Sequence, residues 1–248
     1  MFRMTVTLKW CRRVFLTAFL LAIAAWLYAE GAQWLLRWRA EKLLADIQAL
    51  EVNRSSWSDA QRLMLKWGRW GNYWGTCTAE SCEYWIDMTH VLPERLRGYP
   101  DEGVKNWLPR LMDHLGQRTA VVQAGFSVER GRVTEKSFRE IVTLPVRVWY
   151  ARGGAYVPEL FVWSSEYERF SSDEDDAQLR SHIKVRNLKG PWGLRTQFAS
   201  QVEPVERAAL MSFQFSCITQ FSPCLSERDI LPEGWRMLEE KRRKFGQR

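Results

Sequence analysis

The stretch VVQAGFSVERGRVTEKSFREIVTL, residues 121–144, decides the fold of this chain. Its first half alternates between apolar and more polar residues, the apolar ones being Val122, Ala124, Phe126 and Val128. A period of two is typical of a strand with one buried face. Arg130–Gly131 supplies a tight turn, and the residues after it predict a return strand. The stretch therefore predicts an antiparallel β-hairpin.

Segments outside this hairpin extend the predicted sheet. In CEYWIDMTHV, residues 82–91, three apolar residues alternate with Trp85 and Asp87, which indicates another strand. Further strands are predicted at residues 146–150, 159–164, 182–188 and 193–199.

Helical periodicity occurs before and after these strands. Residues 33–50 place apolar side chains on one stripe, and residues 58–67 follow after a short connection, so the two segments predict an antiparallel helix hairpin. Ser58 and Gln61 have the spacing of a capping box. Other helices are predicted at residues 106–116, 204–215 and 233–244. We expect an α+β fold in which the helix hairpin and further helices pack on an antiparallel sheet.

An uncharged apolar segment, VFLTAFLLAIAAWLYA, occupies residues 14–29. As a helix it is about 24 Å long, close to the thickness of a bilayer's hydrocarbon core. Four basic residues and no acidic ones precede it: Arg3, Lys9, Arg12 and Arg13. Basic residues stay on the cytoplasmic side, so this segment predicts a signal anchor of a single-pass protein in the bacterial inner membrane.

This placement predicts four parts of the chain. They are a cytoplasmic N-terminus (1–13), a transmembrane helix (14–29), an exported α+β domain (30–235) and a basic tail (236–248). Two alternatives to an anchor stay open, namely a cleaved signal peptide and the core helix of a soluble protein. A lipoprotein is disfavoured because Cys11 precedes the apolar segment instead of following it.

The net charge of +7 at pH 7 is concentrated at the two ends of the chain. Residues 1–13 contribute +4 and residues 236–248 contribute another +4, which leaves −1 for residues 14–235. A neutral body argues against a nucleic-acid partner, since nucleic-acid binding needs a basic surface.

Four of the five cysteines fall in the predicted exported part: Cys77, Cys82, Cys217 and Cys224. An even number of cysteines in an oxidising compartment favours disulfides, and we expect the local pairs Cys77–Cys82 and Cys217–Cys224. Free thiols and a metal site are the alternatives. The spacing of the first pair fits a zinc clip and that of the second does not.

No catalytic set is recognisable in the sequence. The three histidines, at positions 90, 114 and 182, are isolated from each other, and no nucleophile or phosphate-binding motif is present. The acidic run 173–176 lacks the glycine and glutamate of a calcium-binding loop. We therefore name no catalytic residue, metal ligand or cofactor.

Trp67, Trp70 and Trp74 alternate with glycines in KWGRWGNYWG, residues 66–75. Exposed indole rings would suit a glycan, whereas buried rings would serve as core packing. The C-terminal EEKRRKFGQR, residues 239–248, could contact anionic lipid or form a solvated helix end.

Two stretches resemble an uncharacterised group of bacterial single-pass envelope proteins. They are AEKLLADIQALEVNRSSWSDAQRLMLKWG, residues 40–68, and FQFSCITQFSPC, residues 213–224. The resemblance implies an exported, membrane-tethered domain and implies no activity or site residue.

A fainter likeness concerns the helix hairpin of small outer-membrane assembly lipoproteins and of the β-lactamase-inhibitor protein fold. There, G-x-[ST]-x-x-[DE]-[VA] precedes an amphipathic helix. Here Asn53 stands where the glycine would be in NRSSWSDAQRLMLKWG, residues 53–68.

These features favour a membrane-anchored envelope domain that binds another envelope protein or component without catalysing a reaction. One alternative is an envelope hydrolase whose site assembles from distant residues. Another is a glycan-binding module that uses Trp67, Trp70 and Trp74.

Overall fold

A computed structural model describes residues 2–89, 119–143, 148–150, 154–156, 159–168, 181–187, 192–222 and 224–245 of the chain. The helix predicted at 106–116, two of the histidines (His90 and His114) and the acidic run 173–176 lie outside these residues.

Five helices lie in the described part of the chain. They are α1 (Phe2–Ala49), α2 (Trp57–Trp67), α3 (Pro204–Leu210), α4 (Ser216–Thr219) and α5 (Pro232–Phe245). A short 3-10 turn, Glu227–Asp229, precedes α5.

Nine strands are described, seven of which form one sheet. They are β1 (Gly71–Tyr73), β2 (Ser81–Thr89), β3 (Ala120–Glu129), β4 (Arg132–Thr143), β5 (Val148–Tyr150), β6 (Gly154–Tyr156), β7 (Glu159–Tyr167), β8 (Ser181–Asn187) and β9 (Trp192–Ala199). The sheet has the order β1-β2-β3-β4-β7-β9-β8, and β5 and β6 pair separately. Helices on a sheet confirm the predicted α+β class.

The β3–β4 hairpin at the centre of the sheet follows the sequence pattern closely. Its turn consists of Arg130 and Gly131, whose φ angles are +51° and +77°. Two consecutive positive φ angles suit the right-handed twist of a two-residue hairpin, and glycine adopts them at little cost.

One neighbouring pair in the sheet is parallel. β7 and β9 run in the same direction, whereas the other neighbours are antiparallel, so the sheet is mixed. A parallel pair needs a crossover between its strands, and here β8 lies on the edge beyond β9. Alternation along a strand does not reveal the direction of its neighbour.

α1 is a continuous helix of 48 residues, without a break at Glu30–Gly31. Of the described helices, only α1 is long and apolar enough to cross a membrane, and 6% of its apolar window is buried. A core helix of a soluble protein would be mostly buried, so the exposed apolar surface favours a membrane anchor or signal segment. From Ala29 onward a stripe of α1 is buried against the domain.

α2 begins one residue earlier than predicted. Ser56, and not Ser58, is the residue before the helix, and its backbone N–H donates to Asp59 Oδ2 at 2.8 Å. The capping box is thus formed by Ser56 and Asp59 and not by Ser58 and Gln61. The connection before α2 pairs with the start of β4, where Asn53 N–H donates to the Val133 carbonyl at 2.8 Å.

The helices cover one face of the sheet. α1 contacts β2, β3 and β4, and the Phe138 ring of β4 lies 4.9 Å from that of Phe213 and 5.7 Å from that of Phe215. On β7, Ser164 Oγ donates to the carbonyl of Leu210 at the end of α3, over 2.6 Å. α1, α3 and the residues leading into α4 therefore share one layer over a continuous core.

Two charged side chains interrupt this core on β4. Lys136 Nζ lies 3.2 Å from Glu166 Oε2 and donates to the carbonyls of Gln48, at 3.4 Å, and Leu50. Arg207 Nε approaches the other carboxylate oxygen of Glu166, Oε1, to 3.5 Å. Lys136 thus holds the C-terminal end of α1 against the centre of the sheet.

The second of these charged residues, Glu140, has no such partner. It is fully buried, and neither carboxylate oxygen has a hydrogen-bond partner in the described part of the chain. Burial raises the pKa of this carboxyl well above its usual range.

α5 crosses the sequence boundary predicted at residue 236. It extends from Pro232 to Phe245, with Leu238 buried. Arg236 pairs on the surface with Glu233 and Glu240. The basic residues up to position 245 therefore belong to a helix that packs on the domain.

Candidate functional site

The two faces of the large sheet differ in chemistry. α1, α3 and α4 pack on the same side of the sheet, and we call the opposite face the outer face. Side chains alternate along a strand, so the outer face receives every second residue of β2, β3, β4, β7 and β9. Most described side chains there are half-buried, whereas those beneath the helices are buried.

One cross-strand row of the outer face is rich in charged and polar groups. In register across β2, β3, β4, β7 and β9 lie Asp87, Gln123, Arg139, Trp163 and Arg195. Neighbouring strands are about 4.8 Å apart, so this row is about 19 Å long. We call it the polar row.

Both arginines of the polar row lie against aromatic rings. Arg195 Cζ is 3.9 Å from the ring centroid of Trp163, and Arg139 Cζ is 5.7 Å from that of Phe161. Such contacts orient a guanidinium group while its N–H groups stay able to donate. Burial lowers the pKa of Arg139, and the negative charge of Asp87 opposes this shift.

Several buried atoms of the polar row have no hydrogen-bond partner within the described ranges. They are Asp87 Oδ1, Gln123 Oε1, Arg139 Nε and Arg195 Nε. Buried polar atoms in proteins are normally satisfied, so a cluster of exceptions needs an explanation. The four side chains are half-buried and not fully enclosed, so small side-chain rotations would let these two donors and two acceptors bind a ligand that offers both kinds of group.

A second row, beside the polar row, has small residues at its centre. Across the same strands it contains Trp85, Gly125, Ser137, Ser165 and Gln197. The Trp85 ring covers Gly125 so closely that a Cβ there would lie 2.6 Å from the ring. Ser137 and Ser165, which are buried, lie at the centre of this second row. Ser165 Oγ is also buried without a hydrogen-bond partner.

A third row of the outer face, beyond the small residues, carries an acid and a phenol, Glu135 and Tyr167. Burial raises the pKa of Glu135, and a hydrogen bond from the Tyr167 hydroxyl opposes the rise. Gln197 Nε2 in turn donates to Tyr167 Oη at 3.3 Å. These bonds link the second and third rows.

The three tryptophans considered from the sequence do not form one platform. Trp67 is buried, and its indole N–H donates to Asp46 Oδ2 at 2.8 Å, so Trp67 packs in the core. Trp70 is half-buried against Trp67 and lies beneath Arg39, with 4.9 Å between guanidinium carbon and ring centroid. Trp74 alone of the three is exposed.

The cysteines pair locally, as favoured by their spacing. Cys77 is bonded to Cys82 and Cys217 to Cys224, with Cα–Cα distances of 4.2 and 5.5 Å. Within the described ranges no group of three or more His, Cys, Asp or Glu is placed to hold a metal ion.

The polar row could not be located from sequence. Trp85 and Asp87 were recognisable as the more polar side of a strand, but their partners depend on register across four other strands. Lys184 of β8 continues the same register beside Arg195. A hydrophobic face fixes which side of each strand is buried, and the partners on the other side then follow from the pairing.

Comparison with known proteins gives no relative. No family model matches the chain, and neither a curated protein nor a solved structure matches it.

Proposed function

We propose that this chain is a single-pass protein of the bacterial inner membrane whose α+β domain lies outside the cytoplasm. The domain binds another envelope protein through the outer face of its sheet. The observation that carries the binding role is the polar row, in which donors and acceptors without hydrogen-bond partners among the described residues lie side by side on one face.

The first part of α1 supports the membrane placement. Its apolar segment is exposed over a length that suits a bilayer, and Arg12 and Arg13 directly precede it. Disulfides persist in oxidising compartments and are rare in the cytosol, so Cys77–Cys82 and Cys217–Cys224 support an extracytoplasmic domain.

The outer face supports a binding role in three ways. Its arginines are held by Trp163 and Phe161 before any ligand arrives, so little side-chain entropy is lost on binding. Arg139 and Arg195 offer donors to carboxylates or carbonyls, whereas Asp87 accepts from N–H groups. Arginine and tryptophan are also the residues that most often dominate interfaces.

A second candidate, glycan binding, is favoured by the aromatic rings of this face. Trp85, Phe161 and Trp163 lie on the same side as the polar row. Rings beside hydrogen-bonding side chains can contact the apolar face of a sugar while its hydroxyls are bonded.

The thiol count tests the compartment. In cells lysed in denaturant with a maleimide of high mass, we expect one modified thiol per chain, Cys11, because the other four are oxidised. Prior reduction should expose all five cysteines. Five modified thiols without reduction would contradict an extracytoplasmic domain.

Site-specific photocrosslinking in cells tests the binding role. p-Benzoylphenylalanine in place of Ile141, which is half-buried on the outer face, should give a discrete adduct of higher mass. The same probe at Leu65, which is 85% exposed on α2, is the matched control and should give none. Combining the Ile141 probe with Arg139→Ala and Arg195→Ala should abolish the adduct.

The digestion of the adduct identifies the partner class. Peptides of a second protein in a tryptic digest of the purified adduct indicate a protein partner. Loss of the extra mass after treatment with a muramidase indicates the glycan candidate. No adduct at Ile141, or equal adducts at Ile141 and Leu65, would contradict binding through the outer face.

A further inference from the structure

A long uncharged stretch surrounds the second disulfide. FQFSCITQFSPCLS, residues 213–226, contains no Asp, Glu, Lys or Arg. Phe221 and Leu225 of this stretch are 69% and 72% exposed, which is unusual for two large apolar side chains only four residues apart in the sequence. We call residues 217–222 and 224–225 the disulfide loop.

The disulfide loop is attached to α1 close to the end of the apolar segment. Arg37 Nη1 donates to Thr219 Oγ1 at 3.0 Å, and α4, which starts the loop, packs on α1. The apolar segment ends at residue 29, and a bilayer core of about 30 Å that begins after Arg13 ends no later than residue 33, because each helical residue rises 1.5 Å. Arg37, and Thr219 bonded to it, then lie about 6–12 Å beyond the hydrocarbon, at the level of the headgroups.

The neighbouring surface of α1 has the composition of a membrane interface. Trp34 and Trp38 are 57% and 50% exposed. Arg37 Cζ lies 5.4 Å from the Trp34 ring centroid and Lys42 Nζ 3.9 Å from that of Trp38. Aromatic rings with basic side chains above them are typical of the zone between hydrocarbon and water.

We propose that the disulfide loop is a second membrane contact, in which Phe221 and Leu225 enter the interfacial region of the leaflet that α1 leaves. The occupant of this apolar patch is thus lipid, and the patch continues the surface of the anchor. The proposal rests on the proposed membrane placement of α1.

The construction of the loop suits this role. Cys217 and Ile218 are buried, and the bond to Cys224 closes the loop. The loop therefore loses little conformational entropy when its apolar side chains contact the membrane. A helix alone leaves its domain free to rotate about the helix axis. A second contact point beside the helix fixes which side of the domain faces the membrane.

Fluorine NMR on the full-length protein in lipid nanodiscs tests the contact. 4-Trifluoromethylphenylalanine replaces Phe221 in one sample and Leu225 in another, in discs of phosphatidylethanolamine and phosphatidylglycerol. A nitroxide carried on a lipid chain should broaden both signals severalfold more than a water-soluble gadolinium chelate does.

Ala49 is the matched control position. It is exposed on the same helix, about 24 Å beyond residue 33 by helix geometry, so the soluble chelate should broaden its signal and the lipid nitroxide should not. Signals from 221 and 225 that behave like the signal from 49 would overturn the proposal.

Signals at 221 and 225 that are shielded from both reagents would also overturn it, because a protein and not lipid would then cover the loop. Co-elution of the chain with the discs reports on α1 independently. If the chain co-elutes with the discs while the signals from 221 and 225 report water, the proposed anchor stands and only the proposed second contact is refuted.

Discussion

Replacing Lys136 with methionine should lower the free energy of unfolding by about 3–5 kcal/mol, the cost typical of breaking a buried ion pair. The side chains of Lys136 and Glu166 are 4% and 1% exposed. Without the ammonium group, Arg207 remains as the charged neighbour of the Glu166 carboxylate among the described residues. The carbonyls of Gln48 and Leu50 also lose a donor at the end of α1.

Equilibrium urea unfolding of the full-length protein in detergent, followed by tryptophan fluorescence, measures this effect. Lys66→Met is a matched control, because Lys66 of α2 pairs with Asp46 of α1 at 2.7 Å while the Lys66 side chain is 56% exposed. Exposed pairs contribute at most about 1 kcal/mol, so the control should lie close to wild type.

The double variant Lys136→Met with Glu166→Gln separates the charge from the packing. Removing the uncompensated carboxylate should recover part of the loss, so the two substitutions should not be additive. Equal losses for Lys136→Met and Lys66→Met would mean that the buried pair does not hold α1 to the sheet.

This pair also shows how α1 and the proposed binding face are linked. Lys136 occupies the helix-covered side of β4, and the adjacent residues Glu135 and Ser137 lie on the outer face. One strand therefore connects the end of α1 to the candidate site. If α1 is the proposed membrane anchor, a ligand on the outer face would be held at a fixed distance from the membrane.

The elements of the fold could be predicted wherever one face of a segment is uniformly apolar. β2, β3, β7, β9 and α5 lie close to their predicted positions because burial imposes a period of two or 3.6 on those residues. The predicted helix 204–215 ends at Leu210, and a new turn begins at Ser216. Phe213 and Phe215 instead enter the core from the irregular segment between α3 and α4.

The candidate site could not be predicted for a different reason. Its residues come from five strands, and each is unremarkable in its own segment. Charged residues on the covered side of β4 also obscure the pattern, since Lys136 and Glu140 occupy positions that alternation assigns to apolar side chains. Only pairing across the sheet brings Asp87, Arg139 and Arg195 into one row.

Replacing Glu140 with methionine should raise the free energy of unfolding by about 2 kcal/mol at pH 7.5, within the range found for buried unsatisfied groups. Glu140 is fully buried between Val122 and Val162 of the neighbouring strands, and its oxygens have no hydrogen-bond partner within the described ranges. Methionine has a similar volume and no polar group to leave unsatisfied.

The stability gained by Glu140→Met should depend on pH, in a direction that follows from the raised pKa of Glu140. Because burial raises this pKa, the folded state releases the proton of Glu140 at a higher pH than the unfolded chain does. Between these two pKa values the folded state binds more protons, so the stability of the wild type falls as pH rises. The advantage of Glu140→Met should therefore be smallest near pH 4 and should grow toward pH 7.5.

Urea unfolding of both proteins at several pH values measures this growing difference, and Glu140→Gln isolates the charge from the shape. Glu129→Met, at an exposed position of β3, is the matched control and should show no such growth. A destabilised Glu140→Met variant with a constant difference across this pH range would mean that the carboxyl is ionised and bonded in the folded state. In that case Glu140 would belong with Lys136 and Glu166 as part of a buried charge network, and not stand alone as a carboxyl that weakens the core.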